Sequence, residues 1–309
     1  MMKMGSDADY GIMMEKNYSD LVSRYFGKDN AVASVRAVSG GDINEAVLIV
    51  LKDGRRIFLK ENSRANSGFF EAERTGLAAI QQTHAIRVPE VLGTGTFQDR
   101  SYLMMEYLEA APAKKDYWEH FGRELAGMHQ AAASGWTPGG TFGFTENNYI
   151  GAGRQKNDVM DHWIPFFREL RLEAQLRKAS YYFSPEDRRA MQSVLDHLDE
   201  YLVEPAYPSL LHGDLWSGNF VTGPDGYAWL IDPAVYVGHA EADLAMTELF
   251  GGFAPAFYGA YEEAGPLLPG YADRRDLYNL YHLLNHLNLF GRSYYGPVMQ
   301  IVRRFSKNC

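Results

Sequence analysis

The sequence predicts a two-lobed α+β protein, with a small β-rich N-terminal lobe and a larger, mainly helical C-terminal lobe. Three candidate strands at residues 31–62 form a meander. Apolar residues then recur at helical spacing through the second half of the chain, and a β-rich insert at residues 209–232 interrupts them. We expect the first lobe to span residues 1–108, with residues 1–18 as an extension, and the second to span residues 109–309.

Local patterns justify the separate elements. Residues 68–83 predict a helix because their apolar positions share one face, and residues 102–108 predict a further strand of the first lobe. Ser184-Pro185-Glu186-Asp187 predicts a helix start, because it combines a serine cap, an early proline and acidic residues against the helix dipole. The spacing of Leu198 and Leu202 predicts that this helix continues through them.

Composition excludes several classes of protein. The chain has 309 residues, 46% hydrophobic content and a formal net charge of -9, so a general affinity for nucleic acid or an anionic membrane is not expected. Cys309 is the only cysteine, which excludes an internal disulfide. We see no signal peptide and no apolar run that could span a bilayer, and we expect a cytoplasmic protein. The sequence leaves the oligomeric state open.

The strongest motif is His212-Gly213-Asp214-Leu215-Trp216-Ser217-Gly218-Asn219, which has the H-x-D-x-x-x-x-N spacing of a kinase catalytic loop. Phosphoryl transfer requires a carboxylate beside the acceptor hydroxyl and hard oxygen ligands for Mg²⁺. Asp214 is the candidate catalytic carboxylate. Asn219 is a candidate metal ligand, and Asp232, which follows an apolar strand, is the second. Taken alone, Asp232 before Pro233 could simply end a strand.

A nucleotide also needs a turn around its phosphates, a lysine, and a carboxylate that orients the lysine. Gly40-Gly41 lies between the first two predicted strands, Lys60 ends the third, and Glu73 lies on the following helix. Each has an ordinary alternative, namely a tight turn, a solvated lysine and a solvated glutamate, and Glu71 competes with Glu73. Because these residues occur in the order expected of a kinase, together they predict ATP and Mg²⁺ as cofactors.

With these motifs in view, the chain resembles the fructosamine kinase family, which is similar to aminoglycoside phosphotransferases and choline kinases and has a protein-kinase-like fold. The resemblance covers about residues 19–290. Its more specific segments are Trp216 to Asn219, Asn148 to Gly151, and Gly238 to Met246. Further matching segments include Leu125 to His129 and Phe166 to Arg171.

The resemblance implies phosphorylation of the sugar 3-hydroxyl of a ketoamine, on a small molecule or a glycated protein, which is a deglycation activity. It also implies that the backbone of Met105, Glu106 and Tyr107 meets the adenine. Many family members carry a cysteine where this chain has Asp42, so a thiol switch suggested for such members is not expected here.

The acceptor pocket has weaker candidates. Trp216 could stack on the sugar or its amine, or simply pack. His239, Glu241 and Asp243 could bind substrate or order the loop, with helix capping as the alternative. His282 and His286 have an i, i+4 spacing compatible with a metal, but pocket lining or packing is favoured. The last candidates for lining the pocket are Asn285, His286, Tyr294 and Tyr295.

Two other functions stay open at this stage. An aminoglycoside- or choline-type kinase would share the catalytic loop, and only the family-specific segments argue against it. A non-catalytic pseudokinase would require the loss of a lysine, aspartate or metal ligand. Because Lys60, Asp214, Asn219 and Asp232 are all present, this reading ranks lower.

Overall fold

The computed structural model describes residues 18–38, 45–63, 67–265 and 267–307. The chain is an α+β protein that divides into two compact units. Unit 1 comprises Met1–Thr75 and Pro89–Glu109, and unit 2 comprises Gly76–Val88 and Ala110–Cys309. No helix within the described ranges combines the length and the apolar character that crossing a membrane requires.

Unit 1 is built on a five-stranded antiparallel sheet with the order β1-β2-β3-β5-β4. Its strands are β1 (Val32–Ala37), β2 (Glu45–Leu51), β3 (Arg56–Ser63), β4 (Val91–Phe97) and β5 (Arg100–Glu106). Helix α1 (18–26) covers one face, where Leu21 and Val22 are buried against Ile49 and Leu59. The sheet confirms the predicted meander and the additional strand.

Helix α2 (Ser67–Gln82) confirms the helix expected at residues 68–83. Its first half belongs to unit 1 and its second half to unit 2. Gly76 belongs to unit 2, and a Cβ atom there would lie 3.2 Å from Val235 and 3.3 Å from Pro233 of the same unit. This half of the helix therefore packs closely on the segment that follows Asp232. The predicted division of the chain at residue 108 stays a prediction.

The helices of unit 2 surround its site-bearing segments, and α3 packs on α9 while α10 packs on α8. They are α3 (Tyr117–Gln130), α4 (Trp163–Phe166), α5 (Glu173–Lys178), α6 (Pro185–Asp196), α7 (Leu198–Tyr201), α8 (Ala240–Leu249), α9 (Pro255–Ala264), α10 (Tyr271–Phe290) and α11 (Tyr295–Phe305). A π-helical segment, Phe167–Leu172, joins α4 to α5.

The start of α6 was predicted correctly, but its length was not. Ser184 accepts a hydrogen bond from the amide of Asp187, whose side chain accepts one from Ser184 in return. The helix ends at Asp196, because His197 adopts φ -121° and leaves the helical conformation. Leu198 therefore begins a separate one-turn helix, and Leu202 lies beyond it in extended backbone.

Short two-stranded sheets hold the loops of unit 2. The predicted β-rich insert contains β8 (Ser209–Leu211), β9 (Phe220–Thr222) and β10 (Ala228–Leu230), which confirms it. β9 pairs with β10, and β8 pairs with β11 (Tyr236–Gly238), which the sequence did not indicate. The hairpin of β6 (Asn148–Ile150) and β7 (Gly153–Gln155) was also not predicted.

Candidate active site

The His212–Asn219 loop takes its shape from two glycines. Gly213 has φ +81°, and a Cβ atom there would lie 2.1 Å from the carbonyl oxygen of Ala234. At Gly218 a Cβ atom would lie 2.3 Å from the ring of Trp216. Any larger residue would therefore collide at both positions. The two glycines of the motif are explained by the close approach of Ala234 to Gly213 and of the Trp216 ring to Gly218.

Asp243, on α8, anchors the His212–Asn219 loop through hydrogen bonds to its backbone. Its carboxylate accepts hydrogen bonds from the backbone amides of His212 at 2.6 Å and Gly213 at 2.8 Å, and a third contact from His129 Nε2 at 3.2 Å. Burial works to raise the pKa of Asp243, but the hydrogen bonds and the neighbouring histidines outweigh it and hold the pKa below its usual range. Asp243 is therefore an ionised, fully engaged carboxylate.

His212 is held as a neutral imidazole in one tautomer. Its Nε2 lies 2.9 Å from the carbonyl oxygen of Ile231, so Nε2 carries the proton, and Nδ1 accepts from the amide of Asp214 at 3.3 Å. Burial lowers the pKa of His212. The side chain thus joins the loop to the strand before Asp232, which agrees with the structural role that the sequence suggested.

Asp214 lies next to Asn219 in the same loop. Asn219 Nδ2 donates to the backbone oxygen of Asp214 at 2.8 Å and to its carboxylate at 3.1 Å. Burial, reinforced by the negative charges of Asp232 and Asp243, raises the pKa of Asp214 to about 7, although the Asn219 hydrogen bond opposes this shift. The carboxylate is therefore poised to exchange a proton near neutral pH.

His282, on α10, faces Asp214 with its Nδ1 atom 3.9 Å from the carboxylate. Burial, followed by the neighbouring His286, lowers the pKa of His282 to about 3. The imidazole is therefore neutral at ordinary pH, and the contact is not an ion pair. It offers Asp214 no compensating charge.

The residues around Asp214 suit a magnesium ion. Asn219 uses its Nδ2 to bind Asp214, which leaves its Oδ1 oxygen as the hard ligand. The charge of Asp232 contributes to the raised pKa of Asp214, so a second carboxylate lies nearby. Within the described residues, no three histidine, cysteine or carboxylate side chains form a ready metal cage. The amide oxygen of Asn219 and the carboxylate of Asp232 are hard oxygen donors of the kind that magnesium uses together with substrate phosphates.

Unit 1 contains the expected ion pair. Lys60 Nζ, on β3, lies 2.7 Å from Glu73 Oε1 on α2, and each residue is only 7% exposed. The alternative partner Glu71 is instead exposed and bonds to Arg74 and Thr94. Glu73 is therefore the carboxylate that orients the lysine.

The remaining nucleotide candidates stay predictions. Gly40-Gly41 lies outside the described residues. Met105 and Glu106 end β5, where the amide of Glu106 donates to Glu90 O at 2.9 Å and that of Tyr107 to Arg56 O at 3.3 Å. Any backbone contact of Glu106 or Tyr107 with a purine would therefore use a carbonyl oxygen.

Trp216 belongs to a cluster of rings that we call the aromatic wall: Trp216, Phe250, His286, Phe290 and Tyr294. Trp216 meets Phe250 edge to face, and Phe250 stacks on His286 at 5.0 Å and 9°. Phe290 and Tyr294 contact the edge of His286. Trp216, Phe250 and Phe290 are 39%, 41% and 53% exposed, so the wall presents rings to solvent beside the catalytic loop.

Two other substrate candidates are enclosed. Glu241 is 1% exposed and pairs with Arg274 through two contacts, of 2.5 and 2.8 Å. His239 is 2% exposed, and its Nδ1 caps α8 by accepting from the amide of Glu241 at 3.1 Å. These contacts favour capping and loop ordering over substrate binding for both residues.

Several residues around the site were missed as contributors, because their roles depend on distant partners. His129 sits in a matching segment, yet only the fold shows it between Asp243 and Tyr261. Phe250 and Phe290 carry no motif at all. The spacing of His282 from His286 was the one signal that could have indicated this helix face.

Comparison with known proteins gives the family of the chain. The family model described as fructosamine kinase matches residues 14–308. A probable ketoamine kinase of Synechocystis is 41% identical over 288 residues, which cover 92% of this chain and 94% of the relative. A chloroplastic protein-ribulosamine 3-kinase of Oryza sativa subsp. indica is 37% identical, over 89% of this chain and 80% of the relative.

A solved structure gives the same answer for the fold. The crystal structure of a Haemophilus somnus protein assigned as a fructosamine-3-kinase matches with a TM-score of 0.82 and 30% identity, over 94% of this chain and 97% of that one. The predicted protein-kinase-like α+β fold is thereby confirmed. The family model, the relatives and the solved structure agree over nearly the whole chain, so it belongs to the fructosamine kinase family.

Proposed function

We propose that the chain is an ATP- and magnesium-dependent kinase that phosphorylates the sugar 3-hydroxyl of ketoamines such as fructosamines or ribulosamines. The observation that carries the proposal is Asp214, a carboxylate in a kinase-type loop whose pKa is raised to about 7 by burial and by neighbouring aspartates. The negative charge around Asp214 suits a magnesium ion. The Asp214 carboxylate can accept a hydrogen bond from the hydroxyl of the acceptor sugar. The names of the relatives supply the substrate class.

Each residue has a separate task in this proposal. Asp214 accepts a hydrogen bond from the sugar hydroxyl and takes its proton as the phosphoryl group transfers. Lys60, oriented by Glu73, binds the nucleotide phosphates. Asn219 Oδ1 and Asp232 would hold magnesium, which would supply positive charge against the nucleotide phosphates. Asp243 keeps the loop amides in place, so that Asp214 is fixed before substrate arrives.

The aromatic wall supports a ketoamine acceptor. A ring face can pack against the apolar face of a sugar, and it attracts the protonated secondary amine of a ketoamine by a cation–π interaction. Trp216 is two residues from Asp214 and is the exposed ring closest to it in sequence. We therefore assign the sugar and its amine to the Trp216 side of the loop.

The test is an ATP-consumption assay with fructosamine, ribulosamine, choline and kanamycin as acceptors. We expect turnover with the ketoamines, loss of it in Asp214→Asn, and phosphate on the 3-hydroxyl by nuclear magnetic resonance. Trp216→Ala should raise the KM of the ketoamine about tenfold while leaving the KM of ATP unchanged. Turnover of choline or kanamycin with no activity on either ketoamine would contradict the proposal.

A further inference from the structure

Asp232 has an unusual backbone. Its φ is +54°, in the left-handed region that residues other than glycine rarely adopt, and Pro233 follows it directly. Such a conformation persists only where the surrounding structure imposes it. On the N-terminal side, the amide and the carbonyl oxygen of Ile231 bond to Asn219 and His212 within the site already described. On the C-terminal side the amide of Ala234 donates to the carbonyl oxygen of His212 at 2.8 Å, also within that site. The carbonyl oxygens of Ala234 and Val235 need a separate explanation.

The β6–β7 hairpin supplies that explanation. Asn148 Nδ2 donates to the carbonyl oxygen of Val235 at 2.6 Å, and Gln155 Nε2 donates to that of Ala234 at 3.1 Å. Asn148 and Gln155 are 4% and 3% exposed, so these bonds are shielded from water. Two side-chain amides therefore grip consecutive carbonyls just after Asp232-Pro233.

A buried arginine sets the direction of these amides. Arg171 is fully buried in the π-helical segment, and its Nη2 donates to Asn157 Oδ1 at 2.7 Å. Since arginine can only donate, Asn157 must turn its NH₂ group toward Asn148 Oδ1, at 3.1 Å. Asn148 must then present its own NH₂ group to Val235 O. From Arg171 to the backbone, each hydrogen bond in this chain of side-chain amides therefore has a fixed donor and a fixed acceptor.

A second contact orients Gln155 in the same sense. Tyr281, on α10, donates its hydroxyl to Gln155 Oε1. The NH₂ group of Gln155 consequently faces Asn148 Oδ1 at 2.8 Å together with Ala234 O. Both amides that meet the segment after Asp232 are therefore held as donors.

The charge of Arg171 has no ion pair with any carboxylate in the described part of the chain. Its guanidinium lies 3.9 Å from the ring centroid of Tyr236 and 4.6 Å from that of Phe166, and it also donates to Lys156 O at 2.7 Å. A lone buried cation is costly to retain unless its fixed donors are used. Here the Arg171 donors fix which end of each side-chain amide donates and which end accepts.

We propose that Arg171, Asn157, Asn148, Gln155 and Tyr281 form a polar clamp that holds the strained Asp232 segment in the geometry for binding magnesium. The clamp rests on the proposed function, which assigns Asp232 as a metal ligand. Its members are positioning residues that act through Asp232. It also gives a task to the Asn148–Gly151 motif and to Arg171, which the catalytic roles do not use.

The test measures metal affinity, which a purely structural role would leave unchanged. Mn²⁺ is titrated by electron paramagnetic resonance into protein saturated with a non-hydrolysable ATP analogue. Loss of groups that orient metal ligands typically weakens binding about 10-fold to 100-fold. We expect Asn148→Leu and Gln155→Met to raise the Kd about tenfold, and Tyr281→Phe to raise it about threefold. Val194→Ala, a cavity variant in α6, should leave the Kd at the wild-type value while lowering the Tm.

Asp232→Ala separates the two hypotheses. If this variant binds Mn²⁺ as tightly as wild type, the assignment of Asp232 as a ligand is wrong, and the clamp falls with it. If Asp232→Ala loses Mn²⁺ while the folded clamp variants bind it normally, the clamp alone is wrong. Tyr281→Phe keeps the ring and its packing, so it decides the matter even where Asn148→Leu fails to fold.

Discussion

The two units hold their charged groups in opposite ways. In unit 1, Lys60 and Glu73 form a buried ion pair on a strand and a helix, so each charge has its counterpart at 2.7 Å. In unit 2, Asp214 has aspartates and a neutral histidine around it, and its pKa is raised to about 7. In the first arrangement opposite charges face each other, whereas in the second like charges lie close enough to raise the pKa of Asp214. The difference supports the proposal that a cation binds beside Asp214 in unit 2.

The largest effect should follow from Asp214→Asn. We expect kcat to fall about 1000-fold, because a positioned proton acceptor contributes about 10²- to 10⁴-fold. The loss is measured as ketoamine-dependent ATP turnover at saturating magnesium, with Asp196→Asn on the exposed face of α6 as the matched control. A variant within tenfold of wild type would show that Asp214 does not accept the hydroxyl proton.

In the absence of magnesium, Asp214→Asn should be more stable than the wild-type protein. Because the pKa of Asp214 is raised from 3.8 to about 7 on folding, ionising it costs stability, and this cost grows as the pH rises through that interval. One pKa unit corresponds to about 1.4 kcal/mol, but the side chain is 21% exposed, so we expect a gain of only about 1 kcal/mol at pH 8. At pH 4 the two proteins should unfold alike.

Breaking the balanced pair should do the opposite. Lys60→Met leaves Glu73 buried without the lysine ammonium, and removing one partner of a buried pair costs about 3–5 kcal/mol. Urea unfolding should show this loss, and the double variant Lys60→Met/Glu73→Gln should recover part of it. Glu73→Gln is the second single variant, and a double variant whose loss equals the sum of the two single losses would show that the pair contributes no coupling.

Asp243→Asn tests how the loop of unit 2 is held. An asparagine keeps the shape but has only one accepting oxygen, so it loses either the bond from the Gly213 amide or the contacts from His212 and His129. We expect a loss of about 2 kcal/mol in unfolding free energy and a lower kcat with an unchanged KM for ATP. Asp196→Asn again serves as the control, since exposed ion pairs contribute about 0–1 kcal/mol. Equal stability of the two variants would contradict the anchoring role.

The last prediction concerns the pH dependence of stability that His239 causes. Burial, followed by the charge of Arg274, lowers its pKa to about 3, so the folded protein resists its protonation. Below its ordinary pKa of 6.5, stability should therefore fall by about 1.4 kcal/mol per pH unit from this residue. His239→Asn can still cap α8 and should flatten this dependence between pH 6.5 and 5. His84→Asn, at an exposed position with φ 54°, is the control.

Local sequence was sufficient to determine the catalytic loop, its family and most elements of the fold. The spacing of His212, Asp214 and Asn219 is typical of a kinase loop. The meander of unit 1 follows from apolar runs and hairpin turn signals. Where the pattern continued past a break, as at His197, the prediction was wrong. The reason is that one residue outside the helical region ends a helix whatever apolar spacing follows it.

Only the tertiary structure decided what surrounds that loop. Asp243 meets His212 across 31 positions of sequence, and Tyr281 meets Gln155 across 126. Buried polar groups must find partners, but the sequence carries no signal for which distant donor meets which acceptor. The raised pKa of Asp214 likewise arises from burial and from the proximity of other carboxylates, which exist only once the helices of unit 2 have packed.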